Sequence, residues 1–86
     1  MGSDGNDAAP TARLGVAVRG RRRALKLNQA ELANLAGVGL AFLYELEHGK
    51  PTLRIDKVLA VLNVLGLELH VRDGKRGLSV AEELGP

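Results

Sequence analysis

Cysteine and tryptophan are absent from the 86-residue chain, and Phe42 and Tyr44 are its only aromatic residues. Without cysteine there is no disulfide framework, thiolate metal site or cysteine nucleophile, which fits a reducing compartment. Two rings are too few for the stacking platforms that bind single-stranded nucleic acid or RNA. No stretch reaches the roughly 20 apolar residues of a membrane helix, and residues 1–10 are small, polar and acidic. Neither a signal peptide nor an anchor is expected. What is present is 45% hydrophobic and 26% charged, with a mean hydropathy of −0.01, enough to bury one modest core. One domain is expected, and oligomerisation is the natural extra support for a core this small.

Catalytic constellations are also lacking. His48 falls in a helix-ending turn and His70 on the polar face of a strand, neither with a second ligand at metal-binding spacing. Gly37-Val38-Gly39 begins like a nucleotide loop, but Phe42 takes the third glycine position and no strand precedes it. The chain is read as a non-enzyme, with no metal and no cofactor.

The formal net charge is only +2, yet its distribution is uneven. Arg13, Arg19, Arg21, Arg22, Arg23 and Lys26 lie in a segment, residues 8–30, that contains no acid. Such a run is either a solvated helix face or a footprint for phosphates, whose neutralisation releases condensed counterions.

Residues 1–10 lack hydrophobic periodicity and read as disordered. From Thr11 to Leu25, Leu14, Val18 and Leu25 can share a helical stripe, although Gly15 and Gly20 weaken it. Asn28, three residues before Glu31, forms a capping box that starts a second helix, which Gly37 stops. Gly39 allows a corner, and a third helix runs from about Leu40 to Glu47. Residues 53–65 carry Ile55, Val58, Leu59, Leu62 and Leu65 on one stripe of a fourth helix that ends at Gly66. Leu67, Leu69 and Val71 then alternate with Glu68, His70 and Arg72, the period of a half-buried strand spanning 67–73. A lone strand leaves its backbone groups unpaired, so the same strand of a second copy is the economical partner. Residues 74–86 read as a flexible tail with a short helix at Ser79–Leu84, where Ser79 precedes Glu82 by three.

Two short helices around a glycine turn, beside a basic helix, form the pattern of a helix-turn-helix. The run Leu27-Asn28-Gln29-Ala30-Glu31-Leu32-Ala33, then Ala36-Gly37-Val38, then Leu43-Tyr44-Glu45-Leu46-Glu47-His48-Gly49-Lys50, resembles the Xre and Cro-type helix-turn-helix family. Gly37-Val38-Gly39, Glu45 through Thr52, Asp56 through Leu62 and Leu65 through Leu69 resemble, more narrowly, HipB-like antitoxins. That resemblance implies a mainly α, lambda-repressor-like domain over residues 11–66, whose C-terminal β-strand pairs across a homodimer through Leu67, Leu69 and Val71. It also implies operator binding, repression of the protein's own operon and capture of a HipA-like kinase toxin.

Position by position, the resemblance places Gln29 at a phosphate or groove edge, and Gly39, Leu40, Ala41, Tyr44 and Glu45 on the face of the recognition helix. Leu40 and Ala41 depart from the polar residues usual there and offer only apolar contact, for example to a thymine methyl. DNA shape would then supply more of the specificity. Arg22 and Glu47 match the family's structural ion pair, leaving Arg19, Arg21, Arg23, Lys50 and Arg54 as phosphate contacts. The expected protein is a homodimeric, cytoplasmic, nucleoid-associated repressor of an inverted-repeat operator, acting as an antitoxin. A regulator without a toxin, and an interaction adaptor that keeps the fold, stay open as alternatives.

Overall fold

The computed structural model describes residues 10–72 and 78–82. Four helices and a two-stranded sheet follow in order: α1 Pro10–Ala24, α2 Gln29–Ala36, α3 Leu40–Glu47, α4 Ile55–Leu65, β1 Leu67–Val71 and β2 Leu78–Glu82.

Local chemistry sets the helix limits. Pro10 opens α1, where a missing N–H costs little. Lys26 adopts φ 61°, and Leu27 N donates back to Arg22 O at 3.1 Å, closing the end of α1. Asn28 Oδ1 accepts from Glu31 N at 2.7 Å while Asn28 N donates to Glu31 Oε1 at 2.8 Å, the reciprocal box expected at the start of α2. Gly37 (φ 72°) and Gly66 (φ 70°) end α2 and α4 in the left-handed region that favours glycine.

Leu14 and Val18 of α1, Leu32 of α2, Leu43 and Leu46 of α3, Val58, Val61, Leu62 and Leu65 of α4, and Leu67 of β1 form the core. Each fully buried aliphatic side chain contributes about 1.5–3 kcal/mol. The core stripe of α4 differs from the sequence expectation. Ile55 and Leu59 are 57% and 47% exposed, and Val61 is fully buried instead. A 3.6-residue period admits both stripes, and the packing of α4 on α2 and β1 selects one. Leu25 likewise lies beyond the end of α1 and is exposed.

Gly15 corrects a second expectation. Rather than merely weakening α1, it lets that helix approach the end of α3, because a Cβ there would lie 2.5 Å from Leu46 O and 2.7 Å from Glu47 O. Thr11 Oγ1 donates to Gly49 O at 3.2 Å and ties the first turn of α1 to the same corner.

The third correction concerns the C-terminal region. Leu78–Glu82 is a strand, not part of a helix at Ser79–Leu84, and it pairs antiparallel with β1, placing Leu67 opposite Glu82, Leu69 opposite Val80 and Val71 opposite Leu78. β1 therefore has a partner within its own chain, and the argument that a lone strand demands a second copy loses its premise. Pairing satisfies backbone groups of β1 that a helix would leave unmet. Of the segment 1–10 expected to be disordered, Pro10 instead begins α1, and the strand expected over 67–73 ends at Val71; residues 1–9, Asp73, and 74–77 and 83–86 of the expected flexible tail lie outside the described residues.

Candidate nucleic-acid interface

The α2–turn–α3 unit is held to α1 by one buried knot. Arg22 Nε donates to Glu47 Oε2 at 2.7 Å and Arg22 Nη2 to Glu47 Oε1 at 3.0 Å, a bidentate pair with side chains 10% and 1% exposed. Arg22 Nη1 also donates to Leu27 O at 2.9 Å. Burial pushes the Glu47 carboxyl upward, but hydrogen bonds from Arg22 and Gln29 and the charges of Arg22 and Arg19 outweigh it and hold the group below its ordinary value. The hydrogen bond to Glu47 in turn raises Arg22. The ion pair that the resemblance implies is present.

Gln29 joins this knot. At the first residue of α2, half-buried, its Nε2 donates to Glu47 Oε1 at 3.1 Å. One N–H of the amide expected to meet DNA is thus used to fix α2 against α3. Sequence reasoning missed this link because Gln29 and Glu47 are 18 residues apart.

The outer face of α3 carries Leu40 (52% exposed), Ala41, Tyr44 (53% exposed) and half-buried Glu45, with Gly39 at its N-cap. Glu45 Oε1 accepts from Lys50 Nζ at 3.3 Å, so these two offset each other. Phe42 turns inward under Lys57, whose Nζ lies 5.7 Å from the ring centroid. His48, which the sequence marks only as a surface histidine, stacks on Tyr44 with ring centroids 4.0 Å apart. The Tyr-x-x-x-His spacing on one helix face was the available signal.

The basic candidates divide. Arg19 and Arg23 are exposed one turn apart on α1, and Arg19 is close enough to act on the Glu47 charge. Arg21 belongs to another part of the molecule: its Nε donates to Leu65 O at 2.9 Å, at the end of α4. Arg54 pairs with Asp56 at 2.6 Å, and its hydrogen bonds lower the Asp56 carboxyl. Leu67 is buried in the core and Leu69 packs against it, whereas Val71 is 82% exposed.

Among the described residues no group of three or more His, Asp or Glu side chains is placed to hold a metal, and no helix is long and apolar enough to cross a membrane. The chain is similar over 60 residues, at 50% identity, to a protein of Sinorhizobium fredii named as an uncharacterized HTH-type transcriptional regulator, y4mF; the match covers 70% of this chain and 79% of that protein. A family model described as helix-turn-helix matches residues 18–72, from the middle of α1 to the residue after β1. The chain belongs to the helix-turn-helix family, and together with the regulator named above this marks it as an HTH-type transcriptional regulator rather than an enzyme.

Proposed function

We propose that this protein is a homodimeric, sequence-specific repressor of an inverted-repeat operator in double-stranded DNA. The observation that carries the reading is α3 itself, a helix rigidly fixed to α1 by the Arg22–Glu47–Gln29 knot with Leu40, Ala41 and Tyr44 left outward. Such a helix enters the major groove by its N-terminal turn, where Gly39 permits close approach and Leu40 and Ala41 meet thymine methyls. Tyr44 and Glu45 follow one turn on. Gln29 keeps its second N–H and its carbonyl oxygen for a phosphate or groove edge. Arg19 and Arg23, with Lys50 and Arg54 at the far end of α3, supply phosphate contacts once the Glu45 and Asp56 pairings yield. Arg21 is the weakest of these candidates, since Leu65 O already engages it.

Dimerisation is assigned to the β1–β2 hairpin. Val71 faces outward beside a two-stranded sheet whose further edges have no strand partner among the described residues. A second copy adding there through Val71 and the exposed part of Leu69, with Leu67 kept in the protomer's own core, presents two α3 helices to one face of a duplex. In the cell the dimer acts in the cytoplasm on the nucleoid, represses its own operon and, in the HipB-like reading, holds a HipA-like kinase toxin. The Sinorhizobium relative is named as a transcriptional regulator, which supports regulation and, as second reading, a regulator without a toxin partner. Exposed Leu40 and Tyr44 are what an interaction adaptor would use instead.

Footprinting on a duplex selected by the protein separates these readings. Two protected half-sites about one DNA turn apart are expected; one asymmetric half-site would refute the dimeric arrangement. Affinity purification that recovers a kinase-like protein distinguishes antitoxin from plain regulator.

A further inference from the structure

We infer that His48, oriented by Tyr44, is a phosphate-binding residue at the far end of the recognition helix, and that it binds by taking up a proton. The inference deepens the DNA-binding reading and rests on it.

Three observations converge. The His48 ring lies on the Tyr44 ring at 4.0 Å between centroids and 27° between planes. Its Nδ1 is 2.8 Å from Tyr44 O, and a carbonyl oxygen only accepts, so Nδ1 must carry the hydrogen. Finally, His48 closes α3, whose last carbonyls favour a positive charge. With one face stacked and Nδ1 engaged, the imidazole has a set direction, and Nε2, across the ring from Cγ, is the nitrogen left to meet a ligand.

In the neutral ring Nε2 holds a bare lone pair, which a phosphate oxygen repels. One proton taken from solvent converts it to an N–H donor, the charge becomes +1, and the proton returns when the phosphate leaves. The eight residues of α3 put His48 about 12 Å beyond Leu40 along the axis. A helix that reads bases with its first turn carries its last turn to the groove wall, where phosphates lie.

The charged groups on α3 and the elements around it are consistent with this. Glu45 pairs with Lys50, Glu47 is engaged by Arg22 and Gln29, and Glu31 of α2 accepts from its cap. α1 contributes Arg13, Arg19 and Arg23 beside the paired Arg22, with Arg21 turned to the end of α4, and α4 brings Lys57 over Phe42. Each carboxylate on α2 and α3 already has a partner, so the incoming negative charge most available to His48 is that of DNA.

The test uses a duplex selected from a random pool by the full-length wild-type protein, and compares wild type with His48→Gln, His48→Asn and Tyr44→Leu. Between about pH 8 and pH 6 the wild type should gain up to about tenfold affinity per pH unit and protomer over both His48 variants. Ethylation interference should lose one phosphate per half-site in those variants, and Tyr44→Leu should weaken the same phosphate. Matching pH profiles, or an interference pattern unchanged by His48→Gln, would overturn the assignment while leaving DNA binding intact. A wild type that selects no duplex at any pH would overturn the DNA-binding reading and this contact with it.

Discussion

Arg22 and Glu47 are separated by 25 residues, yet they meet in a bidentate contact of 2.7 and 3.0 Å that joins the first helix to the last turn of the third. Both are buried, so neither charge has water as an alternative partner. The pair sets the angle at which α3 leaves the body of the protein.

Glu47→Ala should therefore destabilise the fold by about 3–5 kcal/mol, because it strands the Arg22 charge and also releases Gln29. Urea denaturation of the two proteins measures the loss. A change below about 1 kcal/mol would show the pair to be dispensable.

Acid should act through the same carboxyl. Its folded-state value is depressed, so its contribution is fully present above the unfolded value of about 4.3 and is lost as pH falls through the folded one. Denaturation midpoints recorded from about pH 7 downward should decline below about pH 4.5 in the wild type. Glu47→Gln, which cannot titrate, should show a shallower decline.

Gly15→Ala adds one methyl group 2.5 Å from Leu46 O and 2.7 Å from Glu47 O. Backbone oxygens cannot swing aside, and a cost of at least about 1–3 kcal/mol is expected despite the better helix propensity of alanine. Calorimetry should register a fall in Tm on the order of 10 °C. Gly20→Ala, where nothing lies within 4 Å, is the control and should be neutral or stabilising.

Charge on α1 and the sheet should be separable by two further substitutions. Arg23→Ala is expected to reduce the slope of log K against log salt by about 0.9, with stability within about 0.5 kcal/mol of wild type. Val71→Lys, at an 82% exposed position, should dissociate the proposed dimer without unfolding the protomer. Sedimentation beside circular dichroism checks this, and an unchanged sedimentation coefficient would remove the hairpin from the interface.

Legible in the sequence are features that neighbouring residues decide: the Asn28–Glu31 box, the glycine stops at Gly37 and Gly66, the limits of α3 and the alternation of β1. β2 was not legible, because Ser79 and Glu82 repeat the spacing of Asn28 and Glu31 and only distant pairing with β1 settles the outcome. Periodicity alone leaves the exposed Ile55 and the buried Val61 equally eligible for the core. At the interface, residue type suggests that Gln29 reaches outward and that Arg21 meets phosphate. The structure brings Gln29 to Glu47 and Arg21 to Leu65, partners 18 and 44 residues away. The Arg22–Glu47 contact was foreseeable only through family resemblance, since spacing alone does not bring those residues together.

Arg21 and Arg22 are neighbours in sequence, and successive side chains on a helix diverge by about 100°. One reaches the root of the hairpin at Leu65, the other the last residue of α3 at Glu47. A single peptide unit of α1 is thus the axle between the end assigned to self-association and the end assigned to the duplex. In the proposed dimer, a tilt of the hairpin would therefore reach α3 through two adjacent side chains of α1.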